Sequence, residues 1–408
     1  MSAPSFVREQ AAAFLREIDR IQAADARLEP LREGRGPRSY RGPGRALGAL
    51  REVVARLERT LDDLINVPTA EQAGVTARVQ SRLAGLLRLL GFLVRSTSPR
   101  VAFEMCEPLE RLVQSFLGQS KLLVLSSEWD MYSPFVNPFD TALDPGGLTE
   151  CVFIGFPATE SDNPFLLPLA AHELGHPVWH LNARLSEIAE RTASSAVSAT
   201  GGRGGWRIRA FAKHRTVECF CDALGTRVFG AAFLYSAAYL LANHSEDDRD
   251  FGYLLLPNRL AFLREAAKHY NVEIRDDWAP LFGDASPLLV YARHRQDPDD
   301  SKVDTAVLNA QKDIFDEADR IANEARADLP SVSDVEQIQK AFRIGTPANR
   351  PSSLAAILNA AWQERINRWP PGRTFGSEQR RREDEELRVL REIVLKTIQM
   401  LEFNHLVP

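Results

Sequence analysis

The chain has 408 residues, 44% of them hydrophobic and 26% charged, a composition that suits a globular protein with one large or two medium cores. A net charge of −5 and a pI near 6.0 argue against nucleic acid as the main partner, which calls for a broad basic surface. The four cysteines, Cys106, Cys151, Cys219 and Cys221, have neither the density of a disulfide framework nor the spacing of a Cys-rich zinc site.

Residues 1–10 lack the basic, apolar, small-residue order of a secretory signal, so a cytoplasmic location is expected. Residues 6–28 follow with Phe14, Leu15, Ile18 and Ile21 near helical spacing. The Gly-, Pro- and Arg-rich stretch 32–45 reads as a solvated connector, and helical periodicity resumes over 46–65, where Leu47, Leu50, Val54, Leu57 and Leu61 form one stripe. Residues 76–94 are leucine-dense, and a further helical piece ends near Gly118. Residues 1–118 are therefore expected to form an N-terminal helical bundle or cap. Two short apolar runs, 122–125 and 151–156, are the best strands, and the second is either a purely structural strand or, where its edge borders the cleft, one whose free backbone groups hold an extended peptide.

After them comes Ala170-Ala171-His172-Glu173-Leu174-Gly175-His176-Pro177, which contains His-Glu-x-x-His. On a helix His172 and His176 project from one face, as two ligands of a single zinc ion require, and Glu173 lies beside the place of a water it could deprotonate. Pro177 predicts a distorted or early-ending helix, because it removes a hydrogen bond to the Glu173 carbonyl. Helical pieces at 187–191 and 193–198 give way to a glycine-rich loop at 200–205, and Trp206 opens a segment helical to about Phe229. Within it, Glu218 and Asp222 share a face at i and i+4 and interrupt apolar residues. Glu218 is expected to complete a His/His/Glu set, with Asp222 orienting a ligand histidine. His180 and His214 compete with Glu218 as third ligand, and His214 otherwise stands behind Glu218 as a supporting group.

These two segments resemble the gluzincin-type, thermolysin-like zinc metallopeptidases. His172-Glu173-Leu174-Gly175-His176 looks like their motif helix, and Glu218-x-x-x-Asp222 looks like the helix that supplies a third ligand and an orienting aspartate. The resemblance covers about residues 150–230. It implies a zincin-like core, one Zn2+, a peptide or protein substrate, and hydrolysis with Glu173 as general base. A metzincin would place a third histidine at position 182, which is Asn182. No Gly-x-Met-x-Asn stretch precedes the motif, which favours an endopeptidase. His269, Tyr270, Tyr291 and His294 are the residues from which an oxyanion stabiliser is expected.

Helices are expected at 231–243, 260–270, 303–327, 334–342, 352–366 and 378–403, with the acidic stretch 297–300 as a loop. The weakly polar run 228–242 is too short to span a membrane, which takes about 20 residues. The expected fold is mainly α with a small central β-sheet (α+β): a catalytic core over 119–300, flanked by the N-terminal helices and a C-terminal helical region over 301–408. The alternatives are a helical interaction scaffold that keeps a structural zinc site, and a zinc hydrolase of a non-peptide amide.

Overall fold

The computed structural model describes residues 3–33, 42–64, 69–96, 102–129, 134–136, 150–202, 205–242, 253–283, 286–291, 298–369 and 377–406. Most of the described residues are helical, and the strands form one small sheet, so the mainly α reading holds. By contact the chain divides into two compact units. The first comprises residues 1–114 and 118–162, and the second residues 115–117 and 163–408. The sheet thus groups with the N-terminal helices, and the His-Glu-x-x-His helix with the C-terminal ones.

In the first unit, α1 (Ala3–Glu33), α2 (Gly42–Asp63) and α3 (Thr69–Ser96) pack together. The predicted stripe of α2 is wholly buried and joins Phe14, Ile18, Leu86 and Leu93 in one core. Most of the arginine-rich stretch, 34–41, lies outside the described residues, while Arg32 belongs to α1 and residues 42–45 begin α2. α4 (Cys106–Leu117) ends at Gly118, whose φ of +104° is open to glycine and strained for other residues.

β1 (Leu122–Glu128) runs parallel to β3 (Cys151–Pro157), from Leu122 opposite Cys151 to Glu128 opposite Pro157. Both strands are buried along almost their whole length, as expected for continuous apolar runs in parallel pairing. Val124 and Phe153 enter the helical core from them. β2 (Phe135–Val136) pairs antiparallel with β3, so the order is β1-β3-β2. Of the two readings of the second apolar run, the structural strand is the one favoured: β3 is the central strand, with β1 along one side and β2 on Ile154 and Gly155 of the other.

The second unit is built around α7 (Gly205–Phe229). From Arg215 onward almost every residue of it is buried, because α5 (Leu169–His180), α6 (Ala183–Ala199), α8 (Ala231–Ala242), α9 (Leu256–His269), α10 (Pro298–Asn309), α11 (Gln311–Glu324) and α13 (Leu354–Arg368) all pack on it. Buried charges on such a helix need partners, and they have them. Arg215 reaches Asp300 at 2.6 Å and Asp304 at 2.5 Å, both on α10, and Arg227 donates to Asp319 at 2.5 Å and Asn323 at 2.6 Å, both on α11. α12 (Val332–Arg343) and α14 (Ser377–Leu406) complete the unit through α13.

Three expectations change. The two helical pieces after the motif are one continuous α6, capped by the Asn182 side chain, which accepts from the Arg184 and Leu185 amides at 3.0 and 3.3 Å. The stretch read as 303–327 is two helices that meet at Ala310. The acidic segment read as a loop is in part the first turn of α10, where Pro298 has no amide to lose and Asp299 and Asp300 complement the helix dipole. No helix among the described residues is long and apolar enough to cross a membrane.

Candidate metal centre

α5 forms because Leu169, Ala170, Ala171, Leu174, Val178 and Trp179 bury one side of it, and that side faces α7. It does not end at Pro177 but runs on to His180. Only one intrahelical bond is lost there, and tertiary packing of the last turn outweighs it. The His172 and His176 rings lie 5.5 Å apart, His172 buried and His176 half-buried. His180 is exposed on the last turn.

α7 brings Glu218 and Asp222 to the same place. His172 lies between them: Nδ1 is 2.9 Å from Asp222 Oδ1 and Nε2 is 3.1 Å from Glu218 Oε2. Glu218 Oε1 is 3.8 Å from His176 Nε2. His214 Nδ1 is 3.7 Å from the same Glu218 oxygen, but its side chain is 58% exposed, at the edge of the group. Arg259 of α9 grips Asp222 from behind with two hydrogen bonds, Nε to Oδ2 at 2.8 Å and a terminal nitrogen to Oδ1 at 2.9 Å.

Ionised carboxylates only accept, so in this protonation state His172 donates from both nitrogens, and a metal ion held at Nε2 would take the place of the proton there. Burial alone would lower its pKa, but the bonds to Asp222 and Glu218 raise it to about 10. Burial, with the cationic His172 alongside, lowers His176 to about 4, so its imidazole is neutral with a free lone pair. Burial also works to raise both carboxylates, yet Glu218 is held below its ordinary value by His172 and His176, and Asp222 well below by Arg259 and His172.

The donor set fits a small cation. The ligand atoms of His172, His176 and Cys221 all lie within 4.8 Å of one another, and Glu218 borders this group with one oxygen 3.1 Å from His172 and the other 3.8 Å from His176. Asp222 on the far nitrogen of His172 is the usual orienting carboxylate of a metal-bound imidazole.

Three residues of this neighbourhood escape the sequence reading. Cys221 belongs to a group with His172 and His176 whose ligand atoms all lie within 4.8 Å of one another. Its spacing from Glu218, three residues on one helix, is the signal that would have found it. Arg259 lies 37 residues beyond Asp222 with no local pattern to mark it. Tyr253, whose ring stacks 4.3 Å from the Arg259 guanidinium, is the third. Burial, then the nearby Glu218 carboxylate, pushes the Tyr253 hydroxyl well up, with Glu173 and Asp222 adding to it against Arg259, so it stays a proton donor.

The expected oxyanion stabilisers are elsewhere or outside the description. His269 and Tyr270 lie at the far end of α9 from Arg259, about 15 Å along the helix. There the Tyr270 hydroxyl donates to the Phe315 carbonyl at 3.0 Å and His269 lies 3.6 Å from Asp316, so both serve packing on α11. The Tyr291 side chain and all of His294 lie outside the described residues. Comparison of the chain with protein families, curated proteins and solved structures finds no match.

Proposed function

We propose that the protein is a zinc-dependent metallopeptidase of the zincin type, with His172, His176 and Glu218 as the donors that make it one. The observation that supports this reading is that His172 lies between Glu218 and Asp222, residues 46 and 50 positions further along the chain. A zinc ion held there would supply Lewis acidity, polarising a carbonyl and bringing the pKa of water toward ~7. Glu173, one residue after the first histidine and on the half-buried side of α5, takes the proton of the attacking water and returns it to the leaving amine. Tyr253 donates its hydroxyl to the developing oxyanion. Asp222, fixed by Arg259, holds the His172 ring in orientation.

The test pairs elemental analysis with digestion of a fluorescence-quenched peptide library by wild type and Glu173→Gln. About one zinc per chain in both, with hydrolysis reduced at least ~100-fold in the variant, is expected. Absence of zinc from the wild type, even after incubation with the ion, overturns the reading. Zinc in both proteins with no cleavage by either leaves a scaffold holding a structural ion or a hydrolase of another amide.

A further inference from the structure

The three donors of that reading leave Cys221 unused. It follows Glu218 by three residues on α7, so both side chains leave the helix on the side where α5 lies. Its side chain is wholly buried, and its sulfur shares one group with the ligand atoms of His172 and His176. Opposite it stands Gly175, where an added Cβ would come 2.7 Å from the sulfur and 3.0 Å from the Cys221 Cα, so α5 closes directly onto the thiol. This contact fixes the sulfur beside the histidine pair.

We propose that the Cys221 thiolate is a fourth protein donor to the ion at His172, His176 and Glu218, so that the resting site is closed most of the time and its hydrolytic activity is held low without being abolished. The inference rests on the metallopeptidase reading and adds its regulation. A thiolate and an imidazole on one zinc, with bonds near 2.3 and 2.0–2.1 Å, stand about 3.6 Å apart, within reach of a group already inside 4.8 Å. Four protein donors make a closed site of the structural kind, whereas catalytic zinc has three and leaves one position open. Hydrolysis then requires only that the ion–sulfur contact lengthen within the 4.8 Å span of the group while the other three donors hold, and in a variant without the sulfur that position is open throughout.

The experiment replaces zinc by cobalt(II), whose absorption reports sulfur ligation independently of any activity. Wild type, Cys221→Ser and the triple variant Cys106→Ser/Cys151→Ser/Cys219→Ser are loaded and their spectra recorded. A near-ultraviolet thiolate-to-cobalt charge-transfer band is expected in the wild type and the triple variant. In Cys221→Ser it should vanish while about one cobalt stays bound, and the zinc form of that variant should hydrolyse peptide faster than wild type. If Cys221→Ser does not fold, the band in the triple variant still assigns the sulfur, because the chain has four cysteines. Bound cobalt with visible bands and no charge transfer in the wild type overturns the inference and leaves the metallopeptidase reading standing, as does a band that survives in Cys221→Ser. Equal hydrolysis by the two zinc proteins overturns the latency. A wild type that binds no cobalt overturns both readings.

Discussion

Alanine at Gly175 is the smallest change that separates the two helices of the site. In a helix interior alanine is favoured over glycine by about 1 kcal/mol, so on propensity alone the variant gains stability. The added methyl, however, meets Cys221 at 2.7 Å from Sγ, 3.0 Å from Cα and 3.1 Å from Cβ, where carbon contacts normally settle at about 3.5–4.0 Å. The Cα cannot rotate aside, so α5 has to retreat by roughly 0.5–1 Å, and overpacking of this kind costs about 1–3 kcal/mol. The two terms leave a net loss of about 1 kcal/mol. The retreat also stretches the 3.1 Å spacing between His172 and Glu218 toward 4 Å, and zinc affinity should fall about 10- to 100-fold, the scale seen when groups supporting a metal site are disturbed. Urea denaturation at unchanged m-value measures the first effect, and competition with a chromogenic chelator the second. A variant about 1 kcal/mol more stable than wild type, with unaltered zinc affinity, refutes the close approach of α5 to α7.

Asp222→Asn leaves the buried Arg259 without its counter-charge and His172 without its anchor. It is expected to lose about 3–5 kcal/mol in urea denaturation, and retention of wild-type stability would mean that Arg259 has another partner. Tyr253→Phe should lower kcat about 100- to 1,000-fold with KM little changed, and an unaltered kcat would remove Tyr253 from the proposed mechanism. In the first unit, Glu110 of α4 is buried with Oε2 lacking a hydrogen-bond partner among the described residues, and burial, then Glu107, raises its pKa to about 7 from 4.5. Its acid form therefore stabilises the fold fully below pH 4.5, and that contribution is lost as pH rises through 7. Glu110→Gln should raise the melting midpoint at about pH 8 and leave it nearly unchanged at about pH 5, whereas parallel midpoints for the two proteins across this range would contradict the assignment.

The parts of this protein visible in its sequence are those with a one-sided environment. α2 is readable because Leu47, Leu50, Val54, Leu57 and Leu61 all point into one core, and β1 and β3 because buried parallel strands are apolar throughout. α7 is legible at Glu218 and Asp222 for the opposite reason, since charge inside an apolar stretch needs a partner. The break at Ala310 has no glycine or proline to mark it, because it is set by how α10 and α11 pack on α6 and α7. Likewise Tyr253 and Arg259 reach the site through tertiary packing, which no spacing along the chain records. His269 and Tyr270 mislead for a related reason: residue type alone does not say at which end of a helix chemistry lies.

The charges on α7 have a consequence for assembly. Arg215 is held by α10, Glu218 by α5, Asp222 by α5 and α9, and Arg227 by α11, so four pairings at different heights fix one rod. Sliding α7 by a single residue would swing each of these side chains about 100° away from its partner. An apolar helix can settle in several neighbouring positions with similar energy, but this one has a single register, and the heights of Glu218 and Cys221 against His172 are set by ion pairs on both sides of the site.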